Sequence, residues 1–122
     1  MKLALIVLTA LLSHQSAQAQ VLMGRELRVQ VEAAQQIAAN PKQGTISMLS
    51  QAQAGMGFVQ GVSDSLAIAL PACQPANASP GQKVAIVAKF MRERPETWSE
   101  PAVAIVLTAL KEAFGCTPKE IK

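Results

Sequence analysis

The fold is decided by residues 79–116, which read SPGQKVAIVAKFMRERPETWSEPAVAIVLTALKEAFGC. Apolar residues recur at spacings of three and four on either side of the turn 94–101, which is the pattern of two amphipathic helices. Pro95 and Pro101 restrict the backbone of the turn between them. The stretch therefore predicts a helical hairpin with a stiff connection.

Local signals mark the ends of both hairpin helices. Ser79 as N-cap, Pro80 at the first helical position and Gln82 completing a capping box predict a helix over 80–93. A second helix over 100–114 is predicted to end at Gly115, in a left-handed C-cap. The predicted inner faces are Val84, Val87, Ala88 and Met91 in the first helix, where Phe90 extends the apolar arc, and Val103, Val106, Leu107, Leu110 and Phe114 in the second.

Two further helices, over 22–39 and 46–70, are predicted upstream of the hairpin. The first ends at Asn40, a candidate left-handed cap before Pro41, and the second begins after Thr45 as N-cap. Residues 27–32 alternate with period two and would also suit a strand, but no other segment offers a partner strand. The sequence thus predicts an all-α bundle of four helices.

The helix over 46–70 carries one apolar stripe and several glycines. Gly57 and Gly61 have the spacing at which another helix can approach closely. The predicted buried stripe is Leu49, Ala52, Met56, Val59, Ser63, Leu66 and Leu70.

Residues 1–19 have the organisation of a secretory signal peptide. Lys2 precedes an apolar run from Leu3 to Leu12, and Ala17-Gln18-Ala19 is a small-x-small cleavage site. We expect one mature domain over 20–122 in a Gram-negative periplasm. No cysteine lies at the cleavage site, and no later apolar run reaches the ~20 residues of a spanning helix, so we expect no membrane anchor.

Export bears on the only two cysteines, Cys73 and Cys116. An oxidising compartment favours a disulfide over a redox or metal site, and the two residues flank the predicted hairpin. If they pair, closing a loop of this length stabilises the fold by roughly 4 kcal/mol in the loop-entropy model.

Composition excludes several classes of function. Cleavage leaves ten basic and eight acidic side chains, and a net charge of about +2 is too small to indicate nucleic acid or a membrane surface as partner. The only histidine, His14, is lost, so a serine or cysteine nucleophile lacks a histidine base. The sequence contains no Ser-x-x-Lys spacing and no glycine-rich phosphate loop, so we expect no enzyme, no metal and no cofactor.

A few polar and aromatic residues are candidates for function. Asp64, inside a predicted helix, is interpreted as structural, either capping a neighbouring helix or accepting a hydrogen bond from the Trp98 indole. Trp98 is either a lid on the hairpin core or an anchor for a partner. Arg94 and Glu96 are either a solvated part of the turn or part of a recognition surface.

Ordered motifs from Gly57 to Cys116 resemble the Rap/Tai family of immunity proteins. The matching pieces are Gly57-Phe58-Val59-Gln60-Gly61-Val62-Ser63-Asp64, which is similar to that family's Gly-Tyr-Ile-x-Gly-Val-x-Asp, then Cys73-Gln74-Pro75, Gln82, Arg94-Pro95-Glu96, Pro101-Ala102 and Ala109-Leu110-x-x-Ala113-Phe114-Gly115-Cys116. Met23-Gly24-Arg25-Glu26-Leu27 matches more loosely. Phe58 stands where the family usually has tyrosine, and a second cysteine pair found in many members is absent.

The resemblance implies a small helical periplasmic protein, often a homodimer, that neutralises a peptidoglycan amidase delivered by type VI secretion. It also implies that Gly57, Phe58, Gly61 and Asp64 are structural motif residues, and that a surface loop or helix blocks the amidase. We expect the stiff turn to do so through Arg94, Glu96 and Trp98. The alternative is a periplasmic helical protein without a toxin, acting as an acid-stress chaperone or a scaffold.

Overall fold

Four α-helices joined by short 3-10 turns make up residues 20–73 and 77–116, the part of the chain that the structure, a computed structural model, describes. The helices are α1 (Gly24–Ala39), α2 (Ile46–Ala69), α3 (Pro80–Glu93) and α4 (Ala102–Ala113). The 3-10 turns are Pro41–Gln43, Pro71–Cys73 and Pro95–Ser99.

The all-α prediction is confirmed, and the predicted helix bounds agree with the structure to within two residues. Residues 27–32 lie within α1, so the strand interpretation of that segment is wrong. The predicted signal peptide over 1–19 and the motif residues Gln74 and Pro75 lie outside the described residues. In the described ranges, no helix is long and apolar enough to cross a membrane.

The predicted caps of α2 and α3 form, because each satisfies a backbone N–H that a helix start leaves unbonded. Thr45 Oγ1 accepts from the N–H of Met48 at 3.2 Å. Ser79 Oγ accepts from the N–H of Gln82 at 3.2 Å, and Gln82 Oε1 accepts from the N–H of Ser79 at 2.8 Å.

The two expected left-handed caps differ in outcome. Gly115 has a φ of 68° and ends α4 as predicted. Asn40 has a φ of −146°, so its prediction as a left-handed cap is wrong. The Asn40 N–H instead continues the helical pattern, donating to the Gln36 carbonyl, and Pro41 then begins a 3-10 turn. Proline cannot donate the next helical hydrogen bond, so α1 stops without a left-handed residue.

The core lies where α1 packs along α2 and the α3–α4 hairpin closes over both. Its largest fully buried apolar side chains are Leu27, Val31, Val59, Val87, Met91, Ile105, Val106 and Leu110. Fully burying each such side chain is worth roughly 1.5–3 kcal/mol relative to leaving it in water.

The predicted stripe of α2 is confirmed in part. Ala52, Val59, Ser63 and Leu66 are buried, whereas Leu49 and Met56 are 43% and 41% exposed and Gly55 is buried instead. A Cβ atom on Gly55 would lie 2.8 Å from the carbonyl carbon of Gln30. The α1 backbone approaches α2 at this glycine, and the contact turns the neighbouring apolar side chains outward.

Among the described residues, Gly57 and Gly61 do not mediate helix contact, contrary to the interpretation of their spacing. Both are exposed, and a Cβ atom on either would meet nothing within 4 Å. A smaller correction applies to α4, where Val103 is 42% exposed while Ile105 and Ala109 are buried. The apolar positions of α2 extend beyond the face that the other helices cover, so periodicity alone does not exclude Leu49 and Met56 from the core.

Cys73 and Cys116 form the expected disulfide, with their Cα atoms 5.3 Å apart. The bond joins the 3-10 turn after α2 to the residue that follows the Gly115 cap. It therefore closes the hairpin of α3 and α4 at the end opposite the 94–101 turn.

Candidate functional site

The turn 94–101 connects α3 to α4 and is built around a short 3-10 helix, Pro95–Ser99. Thr97, which is buried, donates from both its N–H (3.0 Å) and its hydroxyl (2.8 Å) to the Arg94 carbonyl. The Glu100 N–H donates to the Thr97 carbonyl at 2.9 Å. Thr97 thus closes the turn from inside, a role that the sequence analysis did not anticipate.

Trp98 fixes the turn to the end of α3. Its indole Nε1 donates to the Met91 carbonyl at 2.9 Å, which satisfies one of the carbonyls left unbonded at the helix end. The proposed bond between this indole and Asp64 is therefore wrong. Trp98 is half-buried and packs against the hydrophobic core, as expected of a lid.

Arg28 holds the outer face of the indole. Its guanidinium carbon lies 4.3 Å from the centroid of the Trp98 ring, and its Nη1 pairs with Glu32 Oε1 at 3.1 Å. A cation that stacks on an aromatic ring at an exposed site stabilises the fold by about 0.5–1 kcal/mol. The Arg28–Glu32 pair has the spacing of a helical ion pair. Nothing in the sequence associates this pair with Trp98, so Arg28 was not predicted as a site residue.

The start of α1 braces the turn through its backbone. The Gly24 N–H donates to the Glu100 carbonyl at 2.8 Å, and the Ala102 N–H donates to the Leu22 carbonyl at 2.8 Å. Between them, Met23 and Pro101 form an isolated antiparallel bridge. We call this paired backbone the α1 clamp. It holds the end of the turn against a helix from the opposite end of the described chain.

The α1 clamp requires glycine at position 24. A Cβ atom there would lie 2.5 Å from Ile105 Cδ1 and 2.9 Å from the Thr97 carbonyl oxygen. In the sequence, Gly24 was noted only as part of the loosely matching segment at the start of α1. Its role depends on the close approach of a distant turn, which leaves no local signal.

Arg94 faces α4 and makes a two-pronged ion pair with Glu112. Nη1 and Nη2 lie 3.0 and 2.9 Å from the two carboxylate oxygens. The guanidinium carbon is also 4.4 Å from the centroid of the Phe90 ring. The hydrogen bond with Glu112 raises the pKa of Arg94 above its ordinary value. The structure thus gives Arg94 a bracing contact in the hairpin.

The exposed edge of the turn is acidic. Glu93, Glu96 and Glu100 are all exposed, and only Glu93 has an ion pair among the described residues, with Lys89 at 3.9 Å. This local negative charge contrasts with the formal net charge of +3 for the whole chain. Glu96 and Glu100 therefore present two solvated carboxylates on a rigid base.

The motif residues of α2 lie elsewhere in the molecule. Asp64 is exposed and accepts a hydrogen bond from Gln60 Nε2 at 2.7 Å within the same helix, so it caps no neighbouring helix. Phe58 is half-buried and packs against the core, while Gly57 and Gly61 face outward. Across residues 20–73 and 77–116, no cluster of three or more histidine, cysteine or acidic residues could hold a metal ion.

A comparison with protein families decides what kind of protein this is. The model of a family described as Rap1a immunity proteins matches residues 23–116, which span all four helices, both cysteines and the α1 clamp except Leu22. The chain belongs to this immunity protein family. The comparisons with curated proteins and with solved structures find no match.

Family membership confirms the resemblance and sets the broad role of the chain. It implies that the partner is a toxin effector, which the immunity protein neutralises by binding. Immunity proteins of this kind are generally not enzymes. The match begins at Met23, so the family region includes the loosely matching segment at the start of α1 and the glycine on which the clamp depends.

Proposed function

We propose that the chain is a periplasmic immunity protein that binds and inhibits a peptidoglycan amidase effector of type VI secretion. The observation that carries the proposal is the braced 94–101 turn within a domain of the Rap1a immunity family. The turn is held by Trp98, by the Arg94–Glu112 pair and by the α1 clamp.

Rigidity matters because a flexible loop loses conformational entropy when it is ordered on a partner, and this loss weakens binding. A turn already fixed on three sides avoids most of that cost. Arg94 and Trp98 then contribute mainly by holding the backbone of the turn, while Glu96 and Glu100 form the contact edge.

The negative charge of this edge indicates that the partner surface carries positively charged or hydrogen-bond-donating groups. Two solvated carboxylates fit a rim of lysine, arginine or backbone N–H groups around the amidase cleft, since charge-assisted hydrogen bonds are the stronger ones. Complementary charges at a rim also accelerate association, and salt weakens this effect. Glu96 lies inside the 3-10 helix and is the more firmly held of the two.

A calorimetric titration of the protein with its cognate amidase tests the proposal. We expect Glu96→Gln to raise Kd about tenfold, equivalent to about 1.4 kcal/mol, and to reduce the salt dependence of association. Asp64→Asn is the matched control, because it removes an exposed carboxylate from α2, away from the turn, and leaves an oxygen that can accept from Gln60. If Glu96→Gln and Glu100→Gln together bind as tightly as this control, the turn is not the contact edge.

We also propose that the protein acts as a periplasmic homodimer. The organisation of residues 1–19 supports export, and the family resemblance supports the dimer. Mass spectrometry of the protein from a periplasmic extract should find a chain that begins at Gln20. A chain from that extract that retains residues 1–19 would contradict the proposed cleavage.

A further inference from the structure

The residue that follows the proposed cleavage site is a glutamine. Residues 1–19 have the organisation of a signal peptide, and cleavage after Ala19 leaves Gln20 with a free α-amino group. A glutamine at that position holds a nucleophile and an electrophile in one residue, namely its own α-amine and the Cδ carbon of its side-chain amide. Attack of the amine on this carbon closes a lactam ring without a second molecule, which gives it the advantage of an intramolecular reaction.

Gln20 is free to fold back on itself. It is exposed and lies outside the helices, shortly before α1 begins at Gly24. With the other described residues, neither its main chain nor its side chain forms a hydrogen bond or an ion pair. Ring closure requires the side-chain amide to reach the α-amine, and an amide held by another part of the fold would first have to break that contact. Gln20 has no such contact to break with the described residues.

The chain is fixed two residues further on, at the α1 clamp. The Leu22 carbonyl accepts from the Ala102 N–H at 2.8 Å, and the Leu22 side chain packs against the core. Val21, between Gln20 and this fixed point, is 64% exposed. An extended chain spans at most about 3.6 Å per residue, so the Cα atom of Gln20 lies within about 7 Å of that of Leu22. The proposed N-terminus is thus tied to the start of α4.

A positive charge is unfavourable beside the start of α4. This helix begins at Ala102 with no side-chain cap and no acidic residue in its first turn. The backbone at a helix start carries a partial positive charge, which repels a protonated amine nearby. In the antiparallel pairing of the clamp, residue 20 lies beyond Leu22, on the side away from Glu100. Conversion of the amine into a neutral lactam removes this repulsion.

We propose that Gln20 is converted to pyroglutamate after export. The α-amino nitrogen attacks Cδ, a new N–Cδ bond forms, and the side-chain amide nitrogen leaves as ammonia with the proton that the amine gives up. Nothing is oxidised or reduced. A peptide α-amino group titrates at about pH 8, so part of it is the neutral, nucleophilic form at neutral pH. The inference rests on the proposed cleavage, because a chain that retains residues 1–19 has no α-amine at position 20.

The lactam protects the α1 clamp from exopeptidases. Chain ends are preferred sites of proteolysis, and an aminopeptidase needs a free α-amine to begin. Removal of Gln20, Val21 and Leu22 would take away the carbonyl that holds the Ala102 N–H. A blocked N-terminus keeps this carbonyl in place, and with it part of the brace of the 94–101 turn.

Intact-mass measurement of the exported protein, purified rapidly in the cold, tests the inference. We expect a chain that begins at residue 20 and is lighter, by one ammonia, than the chain with unmodified Gln20. Stepwise N-terminal degradation should fail until pyroglutamyl aminopeptidase removes the ring, after which it should read from Val21. A chain that begins with unmodified Gln20 would overturn the inference, as would a chain that retains residues 1–19.

Gln20→Asn is the matched variant, because it keeps a side-chain amide but is one methylene too short to close the same ring. We expect it to begin at residue 20 without loss of ammonia, and to be trimmed by an aminopeptidase that leaves the unsubstituted protein intact. Its Tm should be lower by a few degrees, because it keeps the charged amine beside α4. Loss of ammonia from this variant as well would place the loss at another residue and overturn the assignment to Gln20.

A titration with the cognate amidase separates this inference from the proposed inhibition. If the mature chain carries pyroglutamate but binds no amidase, the proposed inhibition fails and the modification stands. If the chain binds the amidase with an unmodified Gln20, the modification fails while the proposed inhibition stands.

Discussion

Arg28 of α1 stacks on Trp98 of the turn, with 4.3 Å between the guanidinium carbon and the ring centroid. The same indole donates its N–H to the Met91 carbonyl of α3. One side chain therefore joins two helices and the turn between α3 and α4. The candidate contact edge is held by this indole, although the edge itself consists of exposed glutamates.

Replacing Trp98 should separate the contributions of its ring and its N–H. We expect Trp98→Ala to lower the free energy of unfolding by about 3 kcal/mol, because it removes a large packed side chain. Trp98→Phe keeps a ring beneath Arg28 but leaves the Met91 carbonyl without its donor, at a cost of about 1 kcal/mol. Urea denaturation measures both values. Equal losses for the two variants would show that ring packing contributes nothing.

Alanine substitution should have opposite effects at two glycines. Gly24→Ala places a Cβ atom 2.5 Å from Ile105 Cδ1, and we expect such overpacking to cost about 2 kcal/mol. Gly57→Ala meets nothing within 4 Å and should stabilise α2 by about 1 kcal/mol. Thermal unfolding of both variants at a concentration where the chain is monomeric checks the pair. A neutral Gly24→Ala would mean that the α1 clamp is loose in solution.

The Arg94–Glu112 pair should contribute to the stability of the fold. Arg94 was predicted from the sequence as a partner-binding residue, and the structure gives it a contact within the hairpin as well. We expect Arg94→Ala and Glu112→Ala each to lower Tm by a small amount, and the double variant to lose less than the sum of the two. Arg92→Ala, which removes an exposed arginine bonded to Gln35, serves as the comparison. Additive losses in the double-mutant cycle would show that the pair is not coupled.

The disulfide should account for a large share of stability. Cys73 and Cys116 are 43 residues apart, and the loop-entropy model assigns about 4 kcal/mol to a closed loop of that size. We expect the double variant Cys73→Ser, Cys116→Ser to unfold at a much lower urea concentration. Mass spectrometry of the unmodified protein should find the two residues linked, and recovery of two free thiols would contradict the structure.

The hairpin was predictable because its signals are local. Ser79, Pro80 and Gln82 specify a helix start, and Gly115 specifies a helix end, through contacts within one turn of the chain. Its disulfide also followed from the pair of cysteines and the expectation of export. Glu96 was chosen from the same local reasoning about a stiff, charged turn.

The remaining parts of the candidate site depend on contacts between distant segments. Arg28 and Gly24 lie in α1 and owe their roles to the turn that packs against them. Periodicity predicted most of the buried face of α2, but it could not exclude Leu49 and Met56, which are apolar and lie beside that face. Burial of Gly55 depends on the close approach of α1, which leaves no local signal.

The α1 clamp affects the order in which parts of the chain fold. Leu22 and Ala102 pair across nearly the whole described chain, and such non-local contacts form late because they require closure of a long loop. If the chain is exported from its N-terminal end, as proposed, Ala102 crosses the membrane after α1, α2 and α3. The turn would then be completed only when almost the entire chain has been translocated, and a chain held extended before export would lack the proposed contact edge.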